Sequence, residues 1–420
     1  MPRSQRLRHL RPWGAPLAAL GVATLLACPL AAQGPAALSL ADAVQRAGTI
    51  APAAQAAAGR RAERVGRART DAQWGNPLVE LRRENLDSPL PYDDFATVTL
   101  PVSLTGRRFA LRSALGATRE QARADSVATI RDAQYAAARA WWGAWAARSV
   151  ATIAAEQAEL YARVARIDSL RAAEGEISEA AGFRMRIEAQ RARHDAARAA
   201  AEAAHAGGLL AALVGEDDPA RLAIVPEAPP LDALPAAEAA LAAAERDRPD
   251  LAAARAAERA ADRRRTAERL GTLPDVGVTG GYKGTSGLST TVIGLMITPP
   301  LLNQNGGGRE RASGEWLLAN ADRRAAELRV RTEVRAALEA AHAIDDGSAG
   351  FDAGFATRAG VVADAAEAAY REGAASLVEL LDAFRAAADA RVALVRGTLD
   401  RALARLDLRR ATGAPAVEMP

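Results

Sequence analysis

YREGAASLVELLDAFRAA, residues 370–387, breaks a helical pattern at Gly373 and resumes it at once. Glycine takes the left-handed backbone that ends a helix without a side-chain penalty, and Ser376 is a preferred N-cap. Two acids follow the break, Glu379 and Asp382, three residues apart and so on one helix face. Ser376 and Glu379 also have the spacing of a capping box, in which each side chain binds the other's backbone amide. A second break, EGEIS at 174–178, carries the same Glu-Gly with a serine three residues after the glycine, here Gly175 and Ser178. Twin breaks about 200 residues apart indicate a duplicated chain and not an array of short repeats.

The elements around each break follow one order. LSLADAVQRAGTIAPAAQAAAGRRAERVGRARTDAQ, from Leu38, reads as one helix capped by Ser39. Gly75, Asn76 and Pro77 stop it, and residues 78–85 and 95–104 read as strands. In the second strand Ala96, Val98, Leu100, Val102 and Leu104 share one face, with Thr97, Thr99 and Ser103 on the other. From Arg107 to about Ala172 there is hardly a helix breaker, enough for a rod of roughly 100 Å at 1.5 Å per residue. Helix resumes after the EGEIS break and ends near Gly215, before the Pro-rich EDDPARLAIVPEAPPLDALP. The second half repeats the pattern, opening with a helix through AAEAALAAAERDRPDLAAARAA. Val276, Val278, Gly280 and Tyr282 alternate with polar or small residues, and Thr291, Ile293, Leu295 and Ile297 alternate with Val292, Gly294 and Met296, a weaker contrast. A long helix from Arg309, weakened at DDGSAG, then leads to the break at Gly373 and a last helix ending near Thr412. The expected organisation is a first repeat over 34–215, a linker over 216–235, a second repeat over 236–413 and a tail over 414–420.

Composition agrees with long helices. Half of the 420 residues are apolar but only 4% are aromatic, so the apolar content is mostly alanine, leucine and valine. Alanine has high helix propensity and lets helices approach closely. The first 33 residues read as a secretory signal, with a basic start and an apolar run too short to span a bilayer comfortably. Removing Arg3, Arg6, Arg8 and Arg11 from a formal +3 leaves −1, which argues against nucleic acid as a partner. The many arginines alternate with acids along helices, as on a solvated, ion-paired face. The lone cysteine, Cys28, lies in LLAC; it is either a lipidated N-terminus or is removed with the signal.

Four strands of this length fit the width of a bilayer when tilted. They cannot close a barrel alone, because open edges are not tolerated in lipid and small membrane barrels begin at about eight strands. Periodicity alone leaves two readings open: strands pooled with those of other copies, or a small soluble sheet capping a helical bundle. No catalytic constellation stands out. His194, His205 and His342 are scattered, no soft-ligand cluster supports a metal, and GGGRERA lacks the spacing and lysine of a phosphate loop. No cofactor is expected and an enzyme has almost no support.

The layout resembles the TolC-type outer-membrane efflux family over nearly the whole chain after the signal. The resemblance is carried by LSLADAVQRA with GNPLVELRREN, the mirrored RPDLAAARAA, PPLLNQNGGGRERA, YREGAASLVELLDAFR and the closing LDLRRATG. NQNGGG is most similar to the heavy-metal efflux branch. The resemblance implies a mainly α fold with a small β part: a homotrimer whose duplicated helical hairpins form an α-barrel, and whose strands, four per chain, make a twelve-stranded barrel in outer-membrane lipid. It further implies a passive exit duct of a tripartite efflux or type I secretion system, extending into the periplasm to meet an adaptor (membrane fusion) protein and an inner-membrane pump. In that setting Glu379 and Asp382 correspond to an acidic pair lining the periplasmic entrance, with Glu379 where the family has Asp. Tyr370 corresponds to a gate-holding tyrosine, with Arg371 beside it as an ion-pair donor. Gly175, Ser178, Gly373 and Ser376 mark the tips that dock the adaptor. Where the family often has an acid on the first tip this chain has Ala181, so one link is expected to be missing or moved. The competing reading is a periplasmic coiled-coil scaffold or adaptor with a soluble sheet and no pore.

Overall fold

A computed structural model describes residues 37–49, 52–86, 89–102, 105–348, 350 and 353–418. The signal segment with Cys28, the strand residues Ser103 and Leu104, and the last two residues of the tail lie outside the described residues. The chain opens with α1 (Leu40–Thr49) and α2 (Pro52–Ala72), then β1 (Leu78–Glu84), β2 (Asp93–Val102), α3 (Arg107–Ala173) and α4 (Glu179–Val214). It continues with α5 (Ala237–Asp247), α6 (Pro249–Leu270), β3 (Asp275–Thr285), β4 (Leu288–Thr298), α7 (Gly306–Ser348), α8 (Ala353–Arg371) and α9 (Leu377–Thr412). The order of elements therefore occurs twice.

Each opening helix is two helices and not the single one expected. α2 begins at Pro52 and α6 at Pro249, each a proline on the first turn, where its missing N–H costs nothing. Within a continuous helix the same ring would clash with the preceding turn. Ser39 caps α1 as expected: Asp42 N donates to Ser39 Oγ at 3.1 Å, and Ser39 N donates to Asp42 Oδ2 at 3.3 Å.

α3, 67 residues long, is the spine. Toward the sheet it packs between α2 and α6, and α6 packs on α7; toward the far end it packs between α4 and α9, and α9 on α8. The seams are lined with alanine, and Ala137, Ala138, Ala244 and Ala341 are fully covered. Midway along α3 sit three of the chain's six tryptophans, Trp141, Trp142 and Trp145, edge to face at 5.3 and 5.5 Å. Two indole N–H groups hold the segment before α1 and the linker: Trp141 donates to Leu38 O at 3.0 Å and Trp145 to Pro226 O at 2.8 Å. Leu38 and Ile224 pair there as a short parallel bridge.

The strands form one antiparallel sheet in the order β1-β2-β3-β4, leaving β1 and β4 as edges. Register places Val79, Val98, Gly280 and Ile293 side by side across it, and likewise Leu100, Val278 and Leu295. The opposite face aligns Glu80 with Thr97, and Arg82 with Phe95, Lys283 and Thr290. The apolar face is the exposed one: Leu81 is 78% exposed, Ile293 84% and Leu295 64%. Thr97, on the polar face, is 9% exposed. A Cβ added at Gly281 on the polar face would lie 2.8 Å from Thr97 Cγ2, whereas Gly280 on the apolar face meets nothing within 4 Å. The sheet therefore curls around its polar face and turns its hydrocarbon outward.

Candidate functional site

The two breaks are built alike, as helix ends with Schellman geometry followed by serine caps. At the first, Gly175 has φ 80° and Glu176 N reaches back to Arg171 O at 2.8 Å. Ser178 Oγ then accepts from Ala181 N at 3.2 Å. At the second, Gly373 has φ 76° and Ala374 N reaches Ala369 O at 2.8 Å. Ser376 Oγ accepts from Glu379 N at 3.3 Å, and Glu379 Oε2 accepts from Ser376 N at 2.7 Å, completing the capping box. That backbone N–H holds the Glu379 carboxyl below the usual carboxylate range.

The two tips share one core. Tyr161, Val164 and Met185 from the first repeat pack with Leu380, Leu381 and Phe384 from the second. Tyr161 stacks on Phe384 at 5.8 Å, and Arg385 bridges to Glu188 at 2.8 Å. Gly182 sets the close approach of α4 to α3, because a Cβ there would lie 3.3 Å from that of Ala172.

At the edge of this core the Tyr370 hydroxyl donates to Asp168 Oδ2 at 2.8 Å, joining α8 to α3. Asp168 is fully buried and its other oxygen, Oδ1, has no hydrogen-bond partner. Burial pushes the Asp168 carboxyl above its ordinary value, opposed by the bond from Tyr370 and by nearby Arg171. Burial, followed by the carboxylate, pushes the Tyr370 phenol up to about 12. Reading along the sequence missed Asp168 and pointed to Ala181 as a lost acid. The available signal was periodic: Tyr161, Val164, Ala165 and Asp168 fall on one buried stripe of α3, and Asp168 is its one charged member.

The remaining residues singled out from sequence do not meet at one point. Arg371 pairs with Glu367 on its own helix and does not cross to the other tip. Asp382 is exposed and makes no hydrogen bond or ion pair with the described residues. NQNGGG acts locally, since Asn305 Nδ2 donates to Glu268 Oε2 at 2.6 Å and to Glu268 O at 3.0 Å, fastening the start of α7 to α6. A Cβ on Gly308 would collide with Asn305 Oδ1 and displace the amide that holds Glu268.

Residues 240–414 match the family model described as outer membrane efflux protein. No curated protein sequence matches the chain. Among solved structures, the outer membrane protein VceC of Vibrio cholerae superposes with TM-score 0.71 at 19% identity, covering 90% of this chain and 97% of that one. The CmeC outer membrane channel of Campylobacter jejuni gives TM-score 0.73 at 16% identity, covering 89% and 85%. The open-state MtrE outer membrane channel of Neisseria gonorrhoeae gives TM-score 0.67 at 19% identity, covering 90% and 89%. The fold is that of these channels over 89–90% of the chain, and the resemblance read from the sequence holds.

Proposed function

We propose that this chain is the exit duct of a tripartite efflux or type I secretion system, working as a homotrimer in the outer membrane. The observation that carries the reading is the outward-facing apolar side of a sheet with two free edges. A soluble cap would turn that face onto the helices. Here it faces away from them, while the polar face is enclosed by the curl. Both edges need a partner strand in lipid, which further copies of the chain supply, and three copies give the twelve strands that the family resemblance implies. Among the described residues no helix is long and apolar enough to cross a membrane, so insertion falls to the strands. The helices then continue the barrel as a tube, ending at the twin tips, where a periplasmic adaptor would dock beside Gly175, Ser178, Gly373 and Ser376. The pump supplies the energy and the duct is passive.

Within that duct the Tyr370–Asp168 bond is a latch holding α8 against α3, and Asp382 belongs to the entrance ring. Asp382 has no partner among the described residues, whereas Glu379 stays ionised but is tied back to the Ser376 amide, so Asp382 is the acid left free to serve the ring. Three copies bring three such carboxylates around one axis, where they attract cations.

Mild-detergent extraction of the full chain followed by sizing tests the reading. A membrane-extracted trimer that conducts in planar bilayers is the expected result. A protein that remains soluble after signal cleavage, or runs as a monomer in mild detergent, refutes it. Asp382→Ala is expected to weaken block by divalent cations; unchanged cation sensitivity removes Asp382 from the ring.

A further inference from the structure

Between α2, α3, α6 and α7, just below the sheet, lies a cleft of about 830 Å³. Asp71, Arg107 and Leu111 line both this cleft and a smaller one that reaches Pro101, Val102, Asp275 and Val276 at the foot of the sheet. The cleft thus lies directly at the base of the sheet.

Six arginines converge on it: Arg60, Arg64 and Arg67 from α2, Arg107 from α3, Arg264 from α6 and Arg311 from α7. Four acids share the walls, Glu63, Asp71, Glu268 and Glu315, which leaves an excess of two positive charges per chain. Local pairing does not remove it. Glu63 takes Arg67 at 2.5 Å, and Glu315 meets Arg311 only at 3.8 Å. Glu268 receives Arg107 at a long 3.4 Å because Asn305 Nδ2 holds its other oxygen at 2.6 Å. Arg64 turns away to Asp125. Arg60 and Arg264 have no acid, hydrogen bond or ring partner among the described residues, and Arg107 Nε is buried with no acceptor. Other arginines on these helices also lack an acid, so what sets this group apart is that six guanidinium groups from four helices face one concave wall.

A guanidinium offers planar, paired N–H groups that match the oxygens of phosphate and carboxylate. Guanidinium groups on several helices around one cleft suit a ligand with more than one such group, and a concave wall raises the local concentration of the opposite charge. We propose that this cleft is an anion-binding station that takes small multivalent oxyanions, with Arg60, Arg264 and Arg107 as its principal donors. Its position in the lumen, and hence its bearing on cargo, rests on the duct reading: three stations around the tube would favour anionic cargo below the barrel, while the acids at the tips favour cations at the entrance.

The test is calorimetric titration of the full chain, in mild detergent and 0.15 M NaCl, with inorganic pyrophosphate. Arg60→Gln with Arg264→Gln is compared with Arg166→Gln plus Arg184→Gln, which removes the same charge from the tip helices. Saturable binding that weakens at least tenfold in the cleft pair and less than twofold in the tip pair is expected. Absence of saturable binding, or equal weakening by both pairs, overturns the station. Channel current in planar bilayers without pyrophosphate binding rejects the station and leaves the duct standing; binding without current does the reverse.

Discussion

Tyr370→Phe removes one hydroxyl and one hydrogen bond, the 2.8 Å contact to Asp168 Oδ2. Asp168 then has no partner for either oxygen, because Oδ1 is already unpaired and the side chain is fully buried. Leaving a buried acceptor unsatisfied costs about 1–3 kcal/mol. Phenylalanine fills nearly the same volume, so little packing loss is added. The cost falls only on the arrangement in which α8 lies against α3, and a shift of that size changes an equilibrium between closed and splayed tips by about 5–150-fold. The readout is open probability in planar bilayers, with thermal denaturation of the detergent-solubilised protein as a check that the fold survives. Asp168→Leu with Tyr370→Phe sharpens the test. Replacing both partners by apolar groups removes the orphaned carboxylate together with the bond, so the double variant is expected to regain much of what the single one loses. Open probability unchanged in Tyr370→Phe refutes the latch. A double variant as leaky as the single one refutes the explanation through buried Asp168.

Because burial raises the Asp168 carboxyl in the packed tip, that state binds a proton more readily than the splayed one. The contribution is fully present below the carboxyl's ordinary value and is lost as pH rises through its raised value, so the tips are expected to tighten on acidification across that window, and Asp168→Asn is expected to abolish the dependence of open probability on pH there. Ser376→Ala opens the capping box at the start of α9 and should lower stability by about 1 kcal/mol, measured by denaturant unfolding, with Ser376→Asp largely restoring it. Leu295→Arg places a charge on the outward face of β4 and should cost about 2–4 kcal/mol if that face meets the middle of the bilayer, seen as loss of heat-stable trimer in the membrane fraction; an unaffected trimer refutes a lipid-facing β4.

The parts of the fold that could be read from sequence were those whose signals are local. Glycine at 175 and 373 and serine three residues later declare a turn and a cap whatever surrounds them, and the extended runs placed each strand within three residues. The breaks at Pro52 and Pro249 were equally local but were hidden by alanine, whose helical pattern runs straight through both prolines. The latch was harder to see because its two members lie 202 residues apart, and the acid was sought at Ala181, on the first turn of α4, when it sits on α3. The cleft could not be read at all. Arg60 and Arg264 look in sequence like any other arginine on a helix face, and only the packing of four helices shows which arginines meet in one cleft.

The latch joins positions that are not equivalent in the two repeats. In this chain Ala366 stands at the position equivalent to Asp168, and Ala172 at the position equivalent to Tyr370. Each repeat has kept one half of the bond and filled the other position with the smallest side chain that sustains a helix. The bond is also incomplete by construction, with one Asp168 oxygen unsatisfied, which limits what the closed arrangement gains from burying the acid. A latch that contributes only about 1–3 kcal/mol can be opened by a modest difference in a partner's affinity for the two states, since a ligand shifts such an equilibrium by its differential affinity and no more. A fully satisfied Asp168 would close the tips more firmly, and would demand correspondingly more from whatever docks at the turns.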